Sequence, residues 1–278
     1  IFEINLKDGT YKVAFNIPRG SRPLTISKVN NIKNFNSGLY FGEYFSNIKK
    51  KSVNIYRQLN DGEWKIAYTF AEKTIDHIHA IIPDQFRDCL WILTGDFNEA
   101  SGIWRASNNF KDVIPVLKGK QIFRSCVAFP TEKGLIYATD SQFVSNSIRI
   151  LFKENGKWAS KLIIDVNGPV IYGCKVKNNI YFSTSVEGDS NSKGRILKYF
   201  DSKPGPGIKE NYSHLIGGNY EDGFKTLLKF EKDKYPFILF QFGAITFPTG
   251  KNDNKFLFTN NISLKNSNFN SIIYKIVE

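Results

Sequence analysis

Two histidines separated by one residue, His77 and His79, have the types and spacing best suited to chemistry in this sequence. They open the run HIHAII, whose apolar character predicts a strand, and residues two apart in a strand face the same side of a sheet. The next apolar run, LWILTGD, ends at Asp96. Two imidazoles beside a carboxylate can transfer protons without a cofactor, which is the interpretation we favour. The alternative is that these three side chains hold a divalent metal.

Similar pairs of short apolar runs recur along the chain and predict a repeated structural unit. The clearest are FRSCVAFPTEKGLIYATD, IYGCKVKNNIYFST and FGAITFPTGKNDNKFLFTN, and LTISKVNNIKNFNSGLYFGE is a weaker copy. Further strands follow each pair, separated by turn signals such as Asn60-Asp61-Gly62. The first four repeats are spaced by roughly 45–50 residues, which is typical of propeller blades.

Four strands per unit at this period predict an all-β fold, specifically a β-propeller of four-stranded blades in one domain over residues 1–278. Five blades are favoured, and six are the alternative if residues 208–240 contain another blade. We expect N-terminal strands, from the hairpin in residues 1–17, to complete the last blade and remove its open edge. Residues 195–200 are predicted to be the third strand of the fourth unit, and residues 202–223, rich in Gly and Pro, a loop insertion after it.

Alignment of the units predicts which side chains meet at the channel of such a propeller. The first strand of each blade lines the channel, so Arg124 and Tyr172 are expected at the position of His77. The ends of the second strands bring further polar residues to the same rim. The predicted catalytic residues are His77, His79, Arg124 and Tyr172. The predicted substrate-binding residues are Glu43, Asp96, Gln121, Asp140, Ser141, Glu187 and Gln241.

Each of these residues also has a purely structural interpretation. One histidine could be held by Asp96 or by the neighbouring Asp76. Arg124 could neutralise nearby carboxylates instead of binding a substrate carboxylate. Tyr172 could cap the core with its hydroxyl at the rim, and Asp140 could cap the loop that it opens.

The composition limits the classes of partner. A net charge of +12, from 38 Lys and Arg against 26 Asp and Glu, favours an anionic partner. The lysines are spread through turns without a nucleic-acid-binding motif, so we expect no nucleic acid, and no apolar run is long enough to cross a bilayer. The three cysteines lack metal or redox spacing and are expected to be buried free thiols. The sequence contains no Met and no visible leader, which leaves both cytoplasm and cell envelope open.

Several blocks of this sequence occur together in a known family. HIHAI…LWILTGD, QIFRS…GLIYATDS, NGPVIYGCKV and IYFSTSVE resemble sialidase-like, BNR-type β-propellers found in bacterial polysaccharide gene clusters. The resemblance covers roughly residues 38–258, and YRQLNDGEW and WRASNNF are faint echoes of the Asp-box of that family. It implies a propeller, a bacterial source and a connection with glycans.

We therefore expect an enzyme that cleaves an acidic, uronate-containing polysaccharide. Elimination is slightly favoured, in which Arg124 neutralises the carboxylate, His77 or His79 removes the adjacent proton, and Tyr172 protonates the leaving oxygen. Hydrolysis by two carboxylates is the alternative reaction. The carboxylates available for it are Glu43, Asp96, Asp140 and Glu187. A non-catalytic glycan-binding or scaffold propeller is the alternative function, and the oligomeric state stays open.

Overall fold

The structure is a computed structural model that describes residues 1–189, 199–249 and 255–277. Strands make up nearly all of its regular structure, and the α-helix α1, Phe237–Phe240, is a single turn. The prediction of an all-β fold is confirmed. Within the described residues, no helix has the length and apolar character needed to span a membrane.

By its internal contacts the chain divides into two compact units. The first comprises residues 1–125 and 130–132, and the second comprises residues 126–129 and the chain from residue 133 onward. The prediction of one domain over residues 1–278 stays a prediction.

Two four-stranded antiparallel sheets, each with its strands in chain order, form most of the first unit. The first sheet contains β3 (Ser27–Val29), β4 (Gly38–Gly42), β5 (Val53–Gln58) and β6 (Trp64–Phe70). The second contains β7 (His77–Asp84), β8 (Cys89–Gly95), β9 (Gly102–Ser107) and β10 (Asp112–Lys118). Apolar side chains from both sheets, among them Tyr40, Ile78 and Leu90, form one buried cluster. Burial of this cluster holds β7 against the first sheet.

Asp84 fixes the turn between β7 and β8, the two strands that carry the histidines and lead to Asp96. Its buried carboxylate accepts hydrogen bonds from the backbone N–H groups of Phe86, at 2.9 Å, and Arg87, at 3.2 Å. It also accepts one from the indole N–H of Trp91 at 2.8 Å. Because one carboxylate satisfies both turn and strand donors, the register of β7 on β8 is strongly specified.

The N-terminal hairpin is the most exposed part of the first unit. Strands β1 (Phe2–Ile4) and β2 (Tyr11–Val13) pair with each other, and every residue in them is exposed. Asp8 forms the turn by accepting hydrogen bonds from the backbone N–H and the hydroxyl of Thr10. In the described pairing these strands form a two-stranded sheet of their own. Closure of the last sheet by N-terminal strands therefore stays a prediction.

The second unit contains three further antiparallel sheets, also with strands in chain order. The first has β11 (Ser125–Pro130), β12 (Leu135–Thr139), β13 (Asn146–Glu154) and β14 (Lys157–Val166). The next has β15 (Val170–Val176), β16 (Asn179–Thr184), β17 (Tyr212–Asn219) and β18 (Gly223–Glu231). The last has β19 (Ala244–Thr246), β20 (Phe256–Ile262) and β21 (Ser271–Lys275). This succession of sheets is consistent with a propeller-like arrangement.

The expected loop insertion at residues 202–223 is wrong in part. Strand β17 lies inside it and pairs with β16 and β18, so it is the third strand of the fourth sheet. The Gly217-Gly218 pair in β17 resembled a turn, but the turn lies at residues 220–222, where Asn219 accepts backbone N–H groups from Glu221 and Asp222. Within residues 208–240, β17 and β18 thus belong to the fourth sheet, and the number of blades stays a prediction. Of the strand predicted at 195–200, residues 195–198 lie outside the described part of the chain.

Candidate functional site

Strands β7 and β8 bring His77, His79 and Asp96 together. His77 is the first residue of β7 and pairs with Gly95, the last residue of β8, so Asp96 follows directly beside it. The register shifts between Ile78 and Ala80, which places a bulge at His79. The Gly95–Asp96 peptide bond is cis. Both imidazoles are buried, as the prediction of a shared face requires.

Backbone carbonyls determine the tautomer of both histidines. Nδ1 of His77 lies 3.1 Å from the carbonyl oxygen of Phe45, and Nδ1 of His79 lies 2.9 Å from that of Ser125. A carbonyl oxygen can only accept, so each Nδ1 carries the hydrogen and donates it. In the neutral form of either ring, Nε2 then presents a lone pair.

The two Nε2 atoms and one carboxylate oxygen converge. Nε2 of His77 lies 3.1 Å from Nε2 of His79, and the latter lies 3.1 Å from Oδ1 of Asp96. Nε2 of His77 lies 3.3 Å from the same oxygen. Among the described residues of this unit, these three side chains form the group that could hold a metal ion.

Arg124 completes the cluster from the side of the carboxylate. Its Nη2 lies 3.2 Å from Oδ1 of Asp96, and its guanidinium carbon lies 5.7 Å from the centre of the Phe97 ring. Burial acts to raise the pKa of Asp96, but hydrogen bonds that His77 and His79 can donate through Nε2 when protonated, together with the charge of Arg124, outweigh it. The pKa of Asp96 is therefore held well below its usual range, and the carboxylate is ionised at neutral pH. The predicted pairing of Arg124 with a carboxylate of the protein is observed.

Gln121, predicted to bind substrate, instead holds the loop that carries Asp96. Its side-chain amide donates to the backbone carbonyl of Asp96 at 3.0 Å, and the hydroxyl of Ser101 donates to the same carbonyl at 3.0 Å. Gln121 lies in a short 3₁₀ turn directly before Arg124. Residues 121–124 therefore supply both the amide that positions Asp96 and the guanidinium of Arg124 that contacts its carboxylate.

Glu43, whose predicted substrate-binding role at the rim stays a prediction, is buried. Its side chain is fully buried and forms an ion pair with Arg19. It also accepts the backbone N–H of Asn54 at 2.8 Å and the hydroxyl of Tyr56 at 3.4 Å. A carboxylate held by these donors is a structural anchor, because a ligand would have to displace buried hydrogen bonds.

A cleft of about 310 Å³ opens next to the cluster, within the first unit. Its lining consists of Ser46, Asn47, Ile48, Lys50, Asp76, His77, Asp96 and Phe97. Phe97 is 44% exposed there, and Lys50 extends to within 4.0 Å of Asp76. The opening thus combines an exposed aromatic ring, a lysine side chain and the pair His77 and Asp96. Such an arrangement can bind a sugar ring and its carboxylate.

The sequence analysis missed Tyr44, Lys50 and Phe97. The Tyr44 ring packs on His77 with 4.5 Å between ring centres. Tyr44 and Phe97 each come directly after a predicted rim residue, Glu43 or Asp96. Their position directly after a rim residue could have identified Tyr44 and Phe97 as site residues. Nothing in the run Lys49-Lys50-Lys51 distinguishes Lys50 from its neighbours.

The other predicted site residues belong to the second unit. Tyr172 is half-buried against an apolar cluster that includes Tyr181 and Leu215, which agrees with its structural interpretation. The buried Asp140 carboxylate accepts the thiol of Cys126 at 3.2 Å. Their catalytic and binding roles stay predictions.

Three further predicted binding residues shape loops of the second unit. The buried Ser141 hydroxyl accepts the backbone N–H of Phe143, and Glu187 accepts the hydroxyl of Ser185 at 2.7 Å. Gln241 is exposed and follows α1 with a left-handed φ of 72°. Substrate contact by these residues also stays a prediction.

Comparison of the chain with protein-family models and with curated proteins gives no match. The geometry of the cluster and its cleft therefore carries the functional argument.

Proposed function

We propose that this protein is a carbohydrate-active β-propeller of five blades, related to sialidase-like BNR propellers, that cleaves an acidic, uronate-containing polysaccharide. The observation that carries the proposal is the meeting of His77, His79 and Asp96 beside a cleft that also presents Phe97 and Lys50. The series of antiparallel sheets supports the propeller.

Binding would use one aromatic ring and one cation of the cleft wall, Phe97 and Lys50. The exposed ring of Phe97 offers an apolar face to a sugar ring, and Lys50 offers a positive charge to a uronate carboxylate. Arg124, the residue predicted for the carboxylate, is 8% exposed and already contacts Asp96. Lys50 lies 4.0 Å from Asp76, but its side chain is 41% exposed, so it is the better placed cation.

Elimination is favoured over hydrolysis by the surroundings of Asp96 and Glu43 in the first unit. Hydrolysis needs a protonated carboxylic acid to assist the leaving group, and the pKa of Asp96 is held well below its usual range. Glu43 is locked in an ion pair. Elimination instead needs a base next to the uronate carboxylate, and an imidazole with an Nε2 lone pair fills that role. The part of Tyr172 as proton donor stays a prediction.

Non-catalytic glycan binding is the second candidate, favoured by the pairing of Arg124 with Asp96. A glycan-binding protein needs only the surface that Phe97 and Lys50 present in the cleft. In that case the contacts of Arg124 with Asp96 and Phe97 serve to hold the loop that carries these two residues.

The mass of the products separates these functions. The protein and its Asp96→Asn variant are incubated with a panel of acidic and neutral bacterial polysaccharides, with His214→Gln as a control because His214 belongs to the second unit. Elimination gives fragments with an unsaturated sugar, and hydrolysis gives fragments heavier by one water. Intact chains with measurable binding would identify a glycan-binding protein, and neither cleavage nor binding of any acidic glycan would contradict the proposal.

A further inference from the structure

The converging atoms of the cluster attract a cation. Both imidazoles donate their Nδ1 hydrogen to a backbone carbonyl, that of Phe45 or that of Ser125. In the neutral rings both Nε2 atoms then direct lone pairs at each other and at Oδ1 of Asp96. Two such nitrogen atoms this close repel each other unless a proton or a metal ion lies between them.

The separations of these atoms fit the coordination shell of a transition metal. Nitrogen and oxygen ligands bound at about 2.0–2.1 Å in a tetrahedron lie about 3.3 Å apart, and those in an octahedron about 2.9 Å apart. The observed separations are 3.1 Å between the two Nε2 atoms, and 3.1 and 3.3 Å from these to Oδ1 of Asp96. One ion can therefore reach all three atoms without rearrangement of the strands.

We infer that His77, His79 and Asp96 bind one divalent first-row transition-metal ion, such as Zn²⁺, through Nε2, Nε2 and Oδ1. Two imidazole nitrogens and one carboxylate oxygen suit such an ion, whereas Ca²⁺ and Mg²⁺ prefer oxygen ligands throughout. Three protein ligands leave coordination positions for water or a substrate oxygen.

The surroundings of the three ligands support the same assignment. Metal-bound histidines usually donate their other ring N–H to a carbonyl or carboxylate, which fixes the ring, and both histidines here do so. His77 and Asp96 also line the cleft, which gives an ion a route of entry. Arg124 contacts the same Oδ1 atom of Asp96 at 3.2 Å, and Gln121 holds the backbone carbonyl of Asp96.

The metal site does not depend on the proposed function, although its effect on the reaction does. An imidazole that binds a metal through Nε2 cannot accept a proton there. With an ion bound, His77 and His79 act as ligands, and a base other than these imidazoles takes the proton. The ion would supply charge neutralisation for a uronate carboxylate.

Metal binding is measured directly on the untagged chain. After removal of bound metal with a chelator, the protein is titrated with Zn²⁺, and bound metal per chain is determined by elemental analysis after dialysis. We expect one ion per chain. The His77→Gln and Asp96→Asn variants should lose at least ~10-fold in affinity, since changes beyond the ligands already cost that much. The control His214→Gln, which removes the remaining histidine of the chain, should bind as the wild type does.

A second readout keeps the test independent of variant folding. In the wild type, Zn²⁺ should shift the ¹⁵N resonances of Nε2 in His77 and His79 and leave those of His214 unchanged. Absence of stoichiometric binding, or equal binding by wild type and both ligand variants, would overturn the inference. Binding without cleavage of any polysaccharide would leave the metal site established and contradict the proposed cleavage. Cleavage of a polysaccharide by a protein that binds no metal would support the proposed cleavage and overturn the metal site.

Discussion

The imidazole of His79 lies directly against the backbone of Gly95. A Cβ atom added at Gly95 would be 2.1 Å from Cε1 and 2.3 Å from Nε2 of His79, closer than such atoms can approach. Glycine at the end of β8 therefore allows the ring to reach Asp96. This contact couples the position of β7, which carries His79, to that of β8, which ends at Gly95.

Replacement of Gly95 by alanine should displace His79 and disturb the cluster. We expect the free energy of unfolding to fall by about 1–3 kcal/mol, as for other overpacked sites, measured by urea denaturation. The histidine ¹⁵N spectrum should show changed signals for His77 and His79 with that of His214 unchanged.

Gly42→Ala is the matched control for this change. A Cβ atom at Gly42 would lie 2.4 Å from Cβ of Ile78. The variant therefore overpacks the same strand, β7, through an apolar side chain that does not belong to the group of His77, His79 and Asp96. We expect a similar loss of stability with little change in the signals of His77 and His79. Equal disturbance of those signals by both variants would mean that the close contact at Gly95 has no specific role.

The interpretation of Glu43 as an anchor predicts a large cost when Arg19 is removed. Arg19→Ala leaves a fully buried carboxylate without its counter-ion. Loss of one partner of a buried pair costs about 3–5 kcal/mol, and we expect a value near 3 because Arg19 is partly exposed. Lys12→Ala removes the exposed pair with Glu3 and should cost less than about 1 kcal/mol. A similar small cost for both variants in urea denaturation would show that Glu43 is free to serve a ligand.

The repeat pattern predicted most of the strands because it depends on local sequence. Strands such as β12, Leu135–Thr139, lie inside the repeats quoted from the sequence, since alternation and turn signals determine where strands begin and end. β17 was missed because its glycines resembled a turn, and only pairing with β16 and β18 identifies it as a strand. Pairing between distant segments is not encoded in a local pattern.

The same distinction applies to the candidate site. The spacing of His77 and His79 and the end of the run LWILTGD at Asp96 were sufficient to predict that the three side chains lie near one another. The partner of Glu43 could not be predicted, because Arg19 lies in the irregular segment before β3, 24 residues away in the chain. The roles of Gln121 and Phe97 also depend on loop conformations that the repeat does not determine.

The thiols are expected to be unreactive in the folded protein. Burial, together with the negative charge of Asp84, raises the pKa of Cys89 to about 12, and burial raises that of Cys174 to about 12. A raised pKa disfavours the thiolate, so at pH 8 about one thiol in 10,000 is ionised, and reactivity grows only as the pH approaches 12. Reaction with a chromogenic disulfide at pH 8 should be slow for Cys89 and Cys174 and fast for all thiols in urea. Rapid native labelling of either residue, identified by peptide mass, would contradict the burial.

The cleft predicts separate contributions of charge and ring to glycan binding. Lys50→Gln should weaken binding of acidic oligosaccharides by about two- to fivefold, the usual value of an exposed ion contact, and leave neutral ones unchanged. Lys73→Gln is its matched control, because Lys73 shares the positive φ of Lys50, is exposed and does not line the cleft. Phe97→Ala should weaken acidic and neutral oligosaccharides alike, by about tenfold, if the ring contributes about 1.4 kcal/mol. Phe86→Ala, an exposed ring outside the cleft lining, should have no effect. Titration calorimetry distinguishes these outcomes, and equal effects of Lys50→Gln and Lys73→Gln would mean that the sugar binds elsewhere.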